Sequence, residues 1–557
     1  MSSRNYKEAA TLSRFPAWWS VALAAGLLTA CGGGSDVTPT DTAAAATATE
    51  QAAAVASTAA TAADDAVFDA SPEAALPSKC TSASRVNDTI PKLMECVTYS
   101  EVRKHQKALQ DIADANGGTR ASGTEGFNAS ARYAVKVFRE AGYDVRRQYF
   151  QFRTFEELSP TLLKVTAPTM RDVTNSVLAY SASGDVTAAV TALPFQPADD
   201  TPGCEAADFA GFPAGHIALV GRGNCTFAEK AANAQAAGAV GVVIANNVDD
   251  GEPLNGTLGA DFRGTIPVTS VTQAEGNLLA AVSGLQMRLK TDTRMEDVAT
   301  SNVIAESKKG DPAQVVMVGA HLDSVAEGPG INDNGSGAAA ILETAKQMAK
   351  VHTRNRVRFA LWGAEEAGLV GSTYYVGTLQ PWQQRRIALY LNFDMIASPN
   401  PGFFIYDGDN SDNAGAGAGP AGSDEIEKAF EGFYARRGIA FKGTDFDGRS
   451  DYGPFIEAGI PSGGLFTGAE GIKTPDEAAL WGGQAGVAYD PCYHQACDTF
   501  TNNNAFAFNV NLHSVAAVTL RFAKDATPPG AGRTEANALG ARASSAVLMR
   551  KGDKFIR

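Results

Sequence analysis

The chain has 557 residues, too many for one compact core, and length sets an expectation of about three or four domain-sized units. Hydrophobic residues make up 44% and charged residues 19%, a balance that excludes an intrinsically disordered chain. The formal net charge of −14 excludes a non-specific nucleic-acid binder, because neutralising phosphates needs a positive surface.

Arg4, Lys7 and Arg14 give a basic start, and the apolar run Phe15–Ala30 follows it. That run is shorter than the ~20 apolar residues a membrane helix needs and fits a secretory signal. It ends in Leu28-Thr29-Ala30-Cys31, which resembles a bacterial lipobox. The resemblance implies cleavage before Cys31 and lipidation of that cysteine. The protein is then exported and lipid-anchored in the bacterial cell envelope. Residues 1–31 are expected to be a lipoprotein signal segment. Residues 32–79, mostly Ala, Thr, Ser, Asp and Gly, are expected to be a low-complexity linker. With Cys31 set aside, six of the seven cysteines remain. Pairing sequence neighbours is the simplest scheme: Cys80–Cys96, Cys204–Cys225 and Cys492–Cys497. It is one of 15 connectivities, in a compartment that permits disulfides.

The spacing predicts a helix from about 97, through "SEVRKHQKALQDIADANGG", with Ser100 as cap and Asn116-Gly117-Gly118 as stop, and a second over "GFNASARYAVKVFREAGYDV" ending near Gly142. Strand-like segments, "VRRQYFQF" and "TLLKVTA", come next. Residues 166–295 carry short β runs and one amphipathic helix, "TFAEKAANAQAAGA". The stretch "GHIALVGRGNCTFAEKAANAQAAGAVGVVIANN" resembles the protease-associated domain, an insert of exported peptidases. It holds no cluster of His, Cys and acids, so no catalysis is assigned to it.

From about 296, strands alternate with helices: "QVVMVGA", "RVRFALWG" with a helix from about Glu366, "IALYLNFDM", "GFFIYDG", a helix over "DEIEKAFEGFYARRG", and "PSGGLFTG". This rhythm predicts an α/β fold with a mixed, largely parallel sheet sandwiched by helices. The tail, 526–557, is rich in Gly, Ala and Arg and is expected to be loose.

Polar residues of one chemical kind stand where those strands end. His321 and Asp323 follow "VVMVGA", and Asp333 lies in the glycine-rich turn "GPGINDNGSG". Glu365 and Glu366 follow "RFALWGA", Asp394 follows "LYLNF", and His494 lies in "DPCYHQACD". Singly, each has an ordinary reading: His321 as a hydrogen-bonded core histidine, Asp333 as a turn or cap residue, the two glutamates as acids at a helix start. Jointly they carry the nitrogen and oxygen ligands that suit zinc, at the carboxyl ends of strands where α/β sites are built. Two zinc ions against Asp333, Glu366 and Asp394 leave one positive charge, which a single hydroxide cancels. One zinc with three carboxylates would be net negative, an expensive state in a dry cleft. The ligand count therefore favours two metals, with Asp333 best placed to bridge because the glycines let its backbone approach closely. Glu365, adjacent and uncommitted, is the candidate general base.

The segments "GAHLDSVAEGPGINDNGSG", "LWGAEEAGLVGS", "LNFDMIASPN", "FDGRSDYGPF" and "DPCYHQACD" resemble, in order, the exported bacterial di-zinc aminopeptidases of the leucyl type. The resemblance implies a zinc-peptidase domain over 80–165 and 296–525 with the protease-associated domain, 166–295, inserted. It implies that His321 and Asp394 bind one zinc, Glu366 and His494 the other, and that Asp333 bridges. Glu365 becomes the general base for a metal-bridging water, Asp323 orients His321, and Tyr493 hydrogen-bonds the oxyanion. Arg449, Met395 and Phe466 match positions near the substrate. The implied activity is removal of N-terminal residues, hydrophobic and leucine-type, from peptides with a free amine; a monomer is expected, with the oligomeric state left open. A calcium site is left open. Glutaminyl cyclases, which use one zinc, share the fold, and metal stoichiometry separates the two classes.

Overall fold

The computed structural model describes residues 76–193, 202–223, 225–247, 251, 253–254, 256–415 and 417–533. The signal segment, Cys31, nearly all of the linker and residues 534–557 lie outside them.

Among the described residues, fourteen strands form one sheet. In chain order they are β1 (Asp144–Ala167), β2 (Arg171–Asp172), β3 (Ser176–Val177), β4 (Gly184–Ala192), β5 (Ile217–Gly221), β6 (Gly241–Ala245), β7 (Val268–Val271), β8 (Gln286–Glu306), β9 (Asp311–His321), β10 (Asn355–Trp362), β11 (Ile387–Phe393), β12 (Phe404–Tyr406), β13 (Lys442–Thr444) and β14 (Ser462–Phe466). The order across the sheet is β13-β12-β14-β11-β9-β10-β8-β4-β5-β6-β7-β3. The quartet β14, β11, β9 and β10 is parallel throughout. Its registers pair Trp362 with His321 and Phe393 with Leu465, so those strands end along one edge. Continuous apolar runs account for it: every residue of β11 is buried, as a parallel strand covered on both faces requires. The covering helices Tyr99–Ala115, Glu125–Glu140, Gly335–Met348, Ser423–Ala435 and Ala505–Lys524 share their core with these strands.

A second parallel set, β4 to β7, carries the helices Phe227–Ala236 and Gln273–Ala280 and its own cores. The two sets are joined by a ribbon. β1 pairs antiparallel with the whole of β8, while β8 also meets β10 near residues 303–306 and β4 near 286–291. The boundaries expected at 165/166 and 295/296 therefore fall inside continuous strands. "VRRQYFQF" and "TLLKVTA" are parts of β1, whose polar middle obscures the continuity in sequence.

Three local expectations change. The first long helix is capped by Thr98, whose hydroxyl accepts the Glu101 N–H; Ser100 lies inside the first turn. The helix expected from Glu366 starts at Val370, because Gly368 and Leu369 adopt left-handed backbone that no helix continues. The tail expected from 526 begins packed: Pro528 and Pro529 are buried, and the Arg533 guanidinium donates to the carbonyls of Gly459, Gln384 and Ile387. All three disulfides join the expected neighbours, Cys80–Cys96, Cys204–Cys225 and Cys492–Cys497. Among the described residues no helix is long and apolar enough to cross a membrane.

Candidate metal centre

His321 is the last residue of β9, and Asp394 is the first after β11. Glu365 and Glu366 sit in the turn after β10, Asp333 in the turn before Gly335–Met348, and His494 in the loop closed by Cys492–Cys497. Glycine makes the approach of the helix possible. A β-carbon at Gly337 would stand 2.1 Å from the Phe393 carbonyl, so only glycine lets the helix start lie against the end of β11. Three non-glycine residues in or next to the cluster adopt left-handed backbone: Ala364 (φ 55°), Met395 (φ 47°) and His494 (φ 55°). Such conformations cost energy and persist where packing over-determines them.

The side chains form two groups that share one member. His321 Nε2 lies 3.1 Å from Asp333 Oδ1 and 3.2 Å from Asp394 Oδ1. His494 Nε2 lies 3.2 Å from Asp333 Oδ2 and 3.1 Å from Glu366 Oε2. One oxygen of Asp333 thus faces each group. Glu365 stands to one side, its Oε2 3.9 Å from His321 Nε2.

The support of the cluster is built from residues that sequence reasoning missed. Asp498 accepts the backbone N–H groups of Asn332 at 2.8 Å and Asp333 at 2.9 Å. Ser450 donates to Asp394 Oδ2 at 2.6 Å. Arg120, fully buried, donates to the carbonyls of Leu322, Pro329 and Gly330, clamping the loop between His321 and Asp333. Asp498 ends "DPCYHQACD" and Ser450 lies in "FDGRSDYGPF", but nothing in their spacing marks a backbone acceptor or a donor to Asp394. Arg120 had no signal at all. Asp323 meets His321 differently from expectation. Its main-chain oxygen lies 3.2 Å from Nδ1, whereas its carboxylate stands off at 3.8 Å and instead accepts the Glu365 N–H at 3.3 Å. With Nδ1–H donated to that carbonyl, Nε2 is the nitrogen left to face Asp333 and Asp394.

Charge crowding shows in the protonation. Burial pushes Glu365 well above the usual carboxylate range, with Asp451, Asp394 and Glu366 adding to the push and His321 opposing it. Burial also raises Asp323 to about 7. For His494, burial works downward, but Glu366 and Asp333 outweigh it and hold the imidazole up at about 11. His321 is likewise held well above its ordinary value by Asp394 and Glu365 against burial. Two imidazoles and several carboxylates therefore compete for protons in a largely buried space, and Glu366 Oε1 is a buried acceptor without a hydrogen bond. A divalent cation bound through nitrogen and oxygen relieves both conditions, so the donor set fits zinc.

The remaining candidates sit around this centre. The Tyr493 ring stacks on His494 at 3.8 Å, and its Oη lies 3.3 Å from Arg449 Nη2. Met395 is nearly buried, its carbonyl accepting from Thr467. Phe466 is half-buried against Phe404. A separate trio, Asp407, Asp409 and Glu427, shares no residue with the centre. Its oxygens accept backbone N–H groups of Ser411, Asp412, Ala414 and Gly408, and no ligand is assigned to it. A hollow of about 350 Å³ lined by Tyr143, Lys308 and His352 also lies apart, so chemistry rather than concavity singles out the metal centre.

Residues 302–519 match the model of peptidase family M28, and residues 183–279 match the PA domain. The chain is 45% identical over 499 residues to an aminopeptidase of Pseudomonas aeruginosa, covering 86% of this chain and 92% of that one. It is 46% identical over 438 residues to the probable lipoprotein aminopeptidase LpqL of Mycobacterium tuberculosis, covering 78% and 86%. The solved structure of BSAP, a zinc aminopeptidase from Bacillus subtilis, superposes with a TM-score of 0.52 at 25% identity, covering 78% and 98%.

Proposed function

The chain belongs to peptidase family M28 and is a metallopeptidase with an inserted PA domain, and from that membership we propose that it is a di-zinc aminopeptidase acting on peptides with a free, hydrophobic N-terminal residue. The observation that carries the two-metal reading is Asp333. Its two oxygens face two separate histidine–carboxylate groups at 3.1 and 3.2 Å. His321 and Asp394 would hold one zinc, Glu366 and His494 the other, with Asp333 shared. Bound zinc supplies Lewis acidity to the scissile carbonyl and to water at neutral pH.

The chain's own residues supply the rest. Glu365 makes no hydrogen bond to the histidines, and its Oε2 lies to one side of the cluster. Its carboxylate takes the proton of the attacking water and returns it to the leaving amine. Tyr493 O–H donates to the oxygen of the tetrahedral intermediate, whose charge develops only after attack. Met395 and Phe466, apolar and close to Asp394 in the chain and in the β14 end, favour an apolar first side chain. Similarity to a lipoprotein aminopeptidase supports attachment of the mature chain through Cys31, which leaves the folded body in the aqueous envelope.

The test is a panel of paired peptides differing only in N-acetylation. Release of free leucine from the unblocked member and none from the blocked one is expected. Equal rates on both would overturn the exopeptidase reading.

A further inference from the structure

Tyr493 needs a defined orientation to donate, and its surroundings provide one. Stacking on His494, at 3.8 Å and 28° between planes, sets the ring. A phenol oxygen carries one hydrogen and two lone pairs. Arg449 Nη2 approaches that oxygen at 3.3 Å as a donor, so the phenol hydrogen is left to point at another acceptor. The opposite nitrogen of the same guanidinium, Nη1, lies 2.8 Å from Glu470 Oε1. The guanidinium is a rigid planar fork, so fixing one edge fixes the other.

The frame beneath this relay is also tied. Asp490 N–H donates to the Ala469 carbonyl at 2.8 Å, and Tyr489 N–H donates to the Gly471 carbonyl at 2.9 Å. The backbone carrying Glu470 is thus bonded on both sides to the segment that leads into Tyr493. Arg449 is held from its own side by Asp447, whose Oδ1 accepts the Arg449 N–H at 3.0 Å. The ion pair itself is open to water, with side-chain exposures of 31% for Arg449 and 43% for Glu470. Pairs this exposed add little to folding stability, so what this one contributes is direction.

We propose that Glu470 is a positioning residue for hydrolysis: it aims Arg449, and Arg449 aims the Tyr493 hydroxyl at the substrate oxygen. The proposal rests on the reading of Tyr493 as the oxyanion donor. An interaction felt in the transition state more than in the ground state alters kcat more than KM.

The experiment is a double-mutant cycle on the full-length, zinc-loaded enzyme, with zinc content measured for each variant. Glu470→Ala is expected to lower kcat about tenfold with KM changed less than about twofold. Glu470→Gln, which keeps an oxygen acceptor for Arg449, recovers part of the loss. In the Tyr493→Phe background, Glu470→Ala changes kcat by less than about twofold, because the two residues act as one unit. Multiplicative losses, an effect on KM alone, or an unchanged kcat in Glu470→Ala at normal zinc content would overturn the relay. An unchanged kcat in Tyr493→Phe would instead remove the donor reading on which the relay stands, which separates the two failures.

Discussion

Asp498 accepts the backbone N–H of Asp333 at 2.9 Å, so the loop that supplies His494 also holds the residue placed between the two histidine groups. The Cys492–Cys497 disulfide closes that loop across His494 and ends directly before Asp498. One covalently pinned segment therefore sets the distance between His494 and Asp333, and with it the spacing of the two groups.

Removing that carboxylate has a defined consequence. In Asp498→Ala the N–H groups of Asn332 and Asp333 are left buried and unpaired, at about 1–3 kcal/mol each. Calorimetry on the variant is expected to show a lower Tm, and elemental analysis a lower zinc content. Wild-type values of both would show that the Asp333 turn stands without Asp498.

On the proposed roles, Glu365 is separable from metal binding. Glu365→Ala is expected to retain its zinc and lose about 10²- to 10⁴-fold in turnover, the range of a general base. A variant with full zinc and near wild-type kcat would assign the proton transfer elsewhere.

Metal loading is coupled to protons. In the metal-free site His494 is held up at about 11, so at neutral pH it carries a proton that a zinc ligand cannot keep. Zinc binding to chelator-treated protein therefore releases protons, and affinity rises with pH through the neutral range. Calorimetric titrations in two buffers of different ionisation enthalpy measure the release. Identical heats in both buffers would contradict it.

Arg120 is a structural cation behind the site. Arg120→Met leaves the carbonyls of Leu322, Pro329 and Gly330 without their donor in a dry interior. The expected result is a clear drop in Tm, with zinc affinity weakened because the loop between His321 and Asp333 slackens. Unchanged Tm and zinc affinity would count against the clamp.

The parts of the fold legible in the sequence were those that advertise themselves by pattern. Apolar runs such as "IALYLNF" end abruptly in a metal-type side chain, so strand and ligand are read together, as at β11 and Asp394. The β1–β8 ribbon was not legible, because its polar middle residues look like breaks although ladder pairing continues through them. The helix after β10 was placed too early, since Glu365-Glu366-Ala367 is helix-compatible and only Gly368 and the left-handed Leu369 postpone the start. The supporting residues were silent for a different reason. Asp498 and Arg120 act on main-chain atoms, and Glu470 acts through another side chain, so no spacing rule points to them. Asp323 stands two residues from His321 in the sequence, but the atom that meets His321 is its carbonyl, which every residue has.

The central claim is a pair of metals sharing Asp333. It is tested most directly by elemental analysis of purified, desalted enzyme, with zinc added back stepwise to the chelator-treated form while leucyl-peptide hydrolysis is followed. Two zinc ions per chain are expected, with full activity reached only as the second is bound. One zinc per chain at full activity would contradict the account.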